Sequence, residues 1–164
     1  MKRVVIVRHA KAVPYGYDMD FDRELTDRGE NDAGNIGREL NKKGIVPDLM
    51  ISSPAARALK TARIFAENLG YEGDKIKELM VIYEGLTTSG FLSIVHQLPV
   101  DAQTVFFFGH NPGFHYLVSN LLAEFRGEMP TCSTVGIDFE VESWHEIEVR
   151  TGKTAFNLVP KNFH

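Results

Sequence analysis

Val4-Val5-Ile6-Val7 runs into Arg8-His9, and Thr104-Val105-Phe106-Phe107-Phe108 runs into Gly109-His110-Asn111-Pro112-Gly113. Each stretch is a short, continuous apolar run of the kind a buried strand requires, and each delivers a histidine where the run stops. In an open α/β sheet, ligands bind in the crevice outside the carboxyl ends of the strands. Two histidines and an arginine converging there, in a chain with little else to coordinate a metal, point to chemistry on an anion.

The surrounding segments fit the same architecture. From Asp27 to Asn41 the pattern is helical, with Ala33, Ile36, Gly37 and Leu40 on one face and Gly44 as the stop. Pro47 to Ser52 reads as a second strand. Ser53-Pro54 then suits a helix start, serine at or near the cap and proline at the first position, with Leu59, Ala62, Ile64 and Phe65 forming an apolar side and Gly70 ending it. Leu79 to Tyr83 fits a third strand or extended segment, Gly90 to Leu98 a short helix, and a further helix follows Pro112-Gly113. Near the end Val135, Ile137, Phe139 and Val141 alternate, while Ile147-Val149 and Ala155 to Val159 flank Thr151-Gly152-Lys153 like a hairpin. Strand-helix alternation closing in antiparallel strands predicts a three-layer α/β/α sandwich with a mostly parallel central sheet and an antiparallel C-terminal element.

A chain of 164 residues is expected to form one domain over 1–164. The spacing of the segments leaves little length for a large cap. Val13 to Arg28, with Pro14, Gly16 and four aspartates, is long for a plain connection, and such loops are often functional. A net charge of −4 argues against a general nucleic-acid binder, which would show a basic stripe. Cys132 is the only cysteine, so neither an intramolecular disulfide nor a cysteine-rich zinc site can form. Met1-Lys2-Arg3 enters a strand directly, without the apolar region of a signal peptide, and no segment approaches a membrane span. The expectation is a cytoplasmic protein without nucleic-acid or membrane partners; its oligomeric state is open.

Three segments could carry the chemistry. A neutral imidazole such as His9 is a competent nucleophile, and the adjacent Arg8 can hold the oxygens of a transferring group through planar forked bonds. In Ser52-Ser53-Pro54-Ala55-Ala56-Arg57-Ala58-Leu59-Lys60-Thr61-Ala62, Arg57 falls in the first helical turn, where a cation is disfavoured unless an anion compensates it. In Gly109-His110-Asn111-Pro112-Gly113, glycines let backbone approach a ligand, while His110 and the Asn111 amide could donate hydrogen bonds. Taken singly, each segment has a plain structural explanation, a strand-end histidine or a surface ion pair.

Together the three resemble the histidine phosphatase, or phosphoglycerate-mutase-like, superfamily: Arg-His-Ala-Lys-Ala, then Ser-Ser-Pro-x-x-Arg-Ala-x-x-Thr-Ala, then Gly-His-Asn-Pro-Gly, in that order. Asp22-Arg23-Glu24-Leu25-Thr26-Asp27-Arg28-Gly29 and the closing Leu158-Val159-Pro160 extend the likeness over nearly the whole chain. Alanine after the histidine, where mutases usually have glycine, and the short length are most similar to the bacterial phosphohistidine phosphatase branch.

The resemblance implies a metal-independent phosphatase without cofactors. His9 would attack phosphorus in line and become transiently phosphorylated; Arg8, Arg57 and His110 would hold the non-bridging oxygens. His9 must present one unprotonated nitrogen, which nearby cations favour, while the other needs an acceptor to fix the tautomer. In mutase-like enzymes a carboxylate in the segment after the third strand serves as general acid; Glu84 is the candidate here, with Glu78 behind it. A phosphoramidate leaving nitrogen is protonated readily, so a missing acid would favour phosphohistidine as substrate. Lys11 and Arg23 could add positive potential at the mouth, with solvated surface charge the simpler expectation for both. Tyr15, Tyr17 and Phe21 either border a groove or pack the loop. The implied partner is a protein bearing phosphohistidine. The alternatives are a small phosphate ester as substrate or, with no turnover, a phosphate-binding module.

Overall fold

The computed structural model describes every residue except Tyr15, Tyr17, Asp18 and Arg126, so the two tyrosines of the loop lie outside the described residues. Six strands form one sheet: β1 (Lys2–Arg8), β2 (Leu49–Ser52), β3 (Lys77–Glu78), β4 (Thr104–Gly109), β5 (Thr134–Phe139) and β6 (Lys153–Leu158). Their order is β3-β2-β4-β1-β5-β6. The four strands β3, β2, β4 and β1 run parallel, while β5 is antiparallel to both β1 and β6. This is the mostly parallel sheet with an antiparallel element at the C-terminal side that the sequence predicts.

The two apolar runs explain the layering. Along β1, Val4 and Ile6 point to one face and Val5 and Val7 to the other; along β4, Phe107 opposes Phe106 and Phe108. Helices α1 (Asp27–Lys42) and α2 (Ala56–Leu69) cover the Val5 face through Ala33, Ile36, Leu40, Ala62 and Phe65. Helices α3 (Met80–Gly85), α4 (Thr88–Val95) and α5 (Gly113–Leu121) cover the Val4 face through Ile82, Phe91, Val95, Phe114 and Leu117. Strands sealed on both faces need no polar alternation, which is why these runs are apolar throughout. Each fully buried phenylalanine of β4 contributes roughly 1.5–3 kcal/mol relative to exposure, so the strand that carries His110 is anchored by its own hydrophobic load.

Three expectations need correction. Leu79 to Tyr83 is not a strand: β3 ends at Glu78 and α3 begins at Met80. Leu79, Ile82 and Leu86 recur at helical spacing and reach the same core, so burial of that stripe wins over extension. The second helix starts at Ala56 with Ala55 as cap, and no side chain caps it; the Ser53 hydroxyl instead accepts from the Ala55 N–H at 3.2 Å, just ahead of the helix, and bonds His110 Nε2. The hairpin partner of β6 is β5, not the segment around Ile147, and β5 ends at Phe139, before Val141. Ile147 is buried in the core without belonging to a strand, at the end of the 3-10 turn Trp144–Glu146.

Candidate active site

Register assembles the site. Arg8 pairs with Gly109 across the β1–β4 ladder, and the His9 N–H donates to the Gly109 carbonyl at 3.0 Å. Ser52 pairs with Phe108 on the other side of β4, and the Ser53 N–H donates to the Phe108 carbonyl at 2.9 Å. His9, His110 and Ser53 therefore meet where three parallel strands end. The imidazoles of His9 and His110 stand 5.4 Å apart, centroid to centroid. At Gly109 any Cβ would come within 2.5 Å of Phe114 and 2.8 Å of Ile82, so only glycine lets β4 lie this close to its covering helices.

The loop beyond β1 is clamped from both sides. The Ala10 N–H donates to Thr61 Oγ1 at 3.0 Å, and that hydroxyl donates to the Arg57 carbonyl at 2.7 Å. Thr26 caps α1, accepting from the Gly29 N–H at 3.0 Å while its own hydroxyl donates to the Lys11 carbonyl at 3.2 Å. A Cβ on Gly29 would lie 2.1 Å from that carbonyl oxygen. The start of α1 is thus seated on the residues that follow the catalytic candidate.

A cavity of about 310 Å³ opens here, lined by Arg8, His9, Lys11, Ala12, Arg23, Arg57, His110, Asn111 and Thr131. Four lining residues are cationic and, among the described residues, none is a carboxylate. Arg8 Nη1 and Asn111 Nδ2 both donate to the Met129 carbonyl at 2.9 Å, which sets both side chains from behind. Arg57 and Arg23 are buried rather than solvated, which corrects the expectation of a surface charge for Arg23. Lys11 is exposed and lies at the cavity edge. The Phe21 ring packs edge-on against Tyr83, centroids 5.1 Å apart, and also borders a separate hollow with Glu24, Leu25 and Leu59.

His9 Nδ1 lies 2.7 Å from the Ala10 carbonyl. A carbonyl only accepts, so Nδ1 carries the proton and Nε2 is the basic nitrogen. Burial, joined by the charges of Arg57, Arg8 and Arg23, lowers the His9 pKa from 6.5 to about 4, overcoming the opposing bond to Ala10. Burial and the Arg57 charge take His110 from 6.5 to about 3. His110 Nε2 is hydrogen-bonded to Ser53 Oγ at 2.8 Å, and either direction of that bond suits a neutral ring. At neutral pH the site therefore holds two uncharged imidazoles among fixed cations, the state a nucleophile and a hydrogen-bond donor to an oxyanion require.

Both histidines bind protons more weakly folded than unfolded. The unfolded chain therefore takes up more protons between pH 6.5 and about 4, and stability is full above that window and falls as pH drops through it. The expected result is a lower denaturation midpoint at pH 4.5 than at pH 7. The NMR ring signals of His9 and His110 should stay put from pH 8 to about pH 5. A titration midpoint near 6.5 for either ring would contradict this assignment.

Glu84 does not join the cavity. It is exposed on α3 and lines an adjoining hollow of about 240 Å³ that shares His110 and Asn111 with the main one. Glu78 is exposed at the sheet edge on β3. Sequence reasoning missed three contributors: the hydroxyl of Ser53, the carbonyl of Met129 and the carboxylate of Asp20, which pairs with Arg57 at 3.1 Å and Arg23 at 3.0 Å. An acidic residue three positions before Arg23 was the available signal for the last; the first two follow only from tertiary register.

Neutral histidines and guanidiniums gathered at the carboxyl ends of parallel strands form a cavity suited to an oxyanion. Residues 4–103 match the histidine phosphatase superfamily (branch 1), and the chain belongs to that superfamily. It is similar to an uncharacterized chloroplastic protein of Arabidopsis thaliana, 25% identical over 96% of this chain and 75% of the relative. It is also similar to the mitochondrial serine/threonine-protein phosphatase Pgam5 of Drosophila persimilis, 33% identical over 62% of this chain, a match spanning 35% of that relative's length. Among solved structures, one from Agrobacterium tumefaciens ascribed to the phosphohistidine phosphatase SixA superposes with a TM-score of 0.81 at 25% identity, covering 97% of this chain and 98% of the other.

Proposed function

We propose that this protein is a metal-independent phosphatase that removes phosphate from phosphohistidine on proteins through a phospho-His9 intermediate. The observation that carries the reading is the His9 tautomer: Nδ1 is committed to the Ala10 carbonyl, and the basic Nε2 belongs to a ring that lines a cationic cavity. Nε2 attacks phosphorus as the bond to the leaving group breaks, and the leaving imidazole takes its proton from solvent. Arg8, Arg57 and His110 hold the three oxygens over which charge spreads. Water then attacks phospho-His9, releasing inorganic phosphate and restoring the free ring.

Two features favour phosphohistidine. No carboxylate lines the cavity among the described residues, so the site suits a leaving group that needs little acid assistance. Only the short helices α3 and α4, of 6 and 8 residues, lie between β3 and β4, which leaves room for a phosphate presented on a protein surface. The likeness to the SixA structure supports the same choice. One observation favours a small phosphate ester instead: a leaving group lodged in the hollow beside His110 would meet Glu84.

The test is phosphate release, in EDTA, from a protein chemically phosphorylated on histidine and from an aryl phosphate. Preferential release from the phosphoprotein is expected. Release from the aryl ester alone would move the assignment to small esters. Tight phosphate binding with silence on both would leave a binding module.

A further inference from the structure

Beside the cationic cavity stands a carboxylate, Asp20, paired with two of the lining arginines. Asp20 opens the short 3-10 turn Asp20–Asp22 and does not line the cavity. Its Oδ2 accepts from Arg57 Nη2 at 3.1 Å and from the Tyr83 hydroxyl at 2.8 Å, and its Oδ1 accepts from Arg23 Nε at 3.0 Å. The Asp20 carbonyl takes the remaining fork of Arg57, Nη1, at 2.7 Å. Tyr83 in turn sets its ring edge-on to His110, centroids 5.7 Å apart.

Cations converging on one cavity repel one another and would splay apart without a counter-charge. A carboxylate shared by Arg57 and Arg23 offsets that repulsion from outside the cavity lining. An arginine held before substrate arrives also loses less rotamer freedom when it grips an oxyanion. Burial alone would push the Asp20 carboxyl up, but Tyr83, Arg57 and Arg23 hold it down to about 2, so it has no proton to donate and is not the missing acid.

We infer that Asp20 is a positioning residue that aligns Arg57 and Arg23 on a single oxyanion, with Tyr83 locking the carboxylate in place. The inference rests on the proposed phosphoryl transfer at His9 and deepens it: Asp20 supports the transition state through the two arginines and touches no substrate.

The test uses D20N, Y83F and the double variant, each with its thermal midpoint measured to confirm folding. Guanidinium order at Arg57 is read by NMR of labelled arginine, affinity by titration with inorganic phosphate, and rate by kcat on the phosphohistidine protein. In the wild type the Arg57 side chain should be ordered without phosphate; in D20N it should become mobile, and in Y83F less so. The kcat is expected to fall tenfold or more in D20N while the Kd for phosphate stays within about threefold, since the lost negative charge offsets the lost order. Y83F should fall less, and the double variant no further than D20N, because both act on one carboxylate. Unchanged Arg57 order in folded D20N would overturn the inference, as would a phosphate Kd that weakens in step with kcat. Arginine order is read without turnover, so a wild type that hydrolyses nothing would contradict the proposed function while the Asp20 inference is still decided by NMR.

Discussion

Replacing His9 by alanine is expected to abolish phosphate release from a phosphohistidine protein, by at least about a thousandfold in kcat, while inorganic phosphate still binds. The size of the effect follows from geometry. His9 is the imidazole whose Nδ1 is committed to a backbone carbonyl 2.7 Å away, leaving Nε2 as the basic nitrogen, and whose burial, joined by the nearby arginines, keeps it unprotonated. His110, 5.4 Å away, has Nε2 tied to Ser53 and cannot substitute without breaking that bond. Folding should survive, since the backbone groups of His9 that bond to Gly109 and Cys132 are untouched. Steady-state hydrolysis beside phosphate titration checks this. A variant that keeps a tenth of the wild-type rate would mean that water attacks phosphorus directly.

Arg57→Ala is expected to lower kcat by about a hundred- to a thousandfold, the usual loss when one preorganised donor to a developing oxyanion is removed. Arg57 sits in the first turn of α2, a position that disfavours a cation, and it is buried there with Asp20 as its partner. Arg57→Lys restores the charge but not the fork, so it should recover only part of the rate. If Arg57→Ala stayed within threefold of wild type, its ion pair with Asp20 would be structural and the clamp would rest on the other lining groups, Arg8, Arg23 and His110.

What the sequence makes legible, and what it hides, has a physical pattern. The strands carrying His9 and His110 stand out because burial on both faces forces uninterrupted apolar runs. The positions of Arg8, Arg57 and His110 follow from strand ends and a helix start, features local to a few residues. Leu79 to Tyr83 misleads because a short apolar stretch fits either period until the core it meets is known; Glu84 then sits on a helix, exposed beside the adjoining hollow. Asp20 is illegible for a different reason. Its partners Arg57 and Tyr83 lie 37 and 63 residues away, so only the packing of α2 and α3 against the loop after β1 assigns it a task. Arg23 looks like one surface charge among many until that same loop folds over it.

The most direct measurement is a rapid-mixing experiment, quenched in alkali, with a protein carrying radiolabelled phosphohistidine, followed through the first turnover. The account predicts alkali-stable label on the peptide containing Arg8-His9, appearing before free phosphate and missing from His9→Ala. Free phosphate released at the full rate with no label on that peptide, or label on any other residue of this chain, would contradict it.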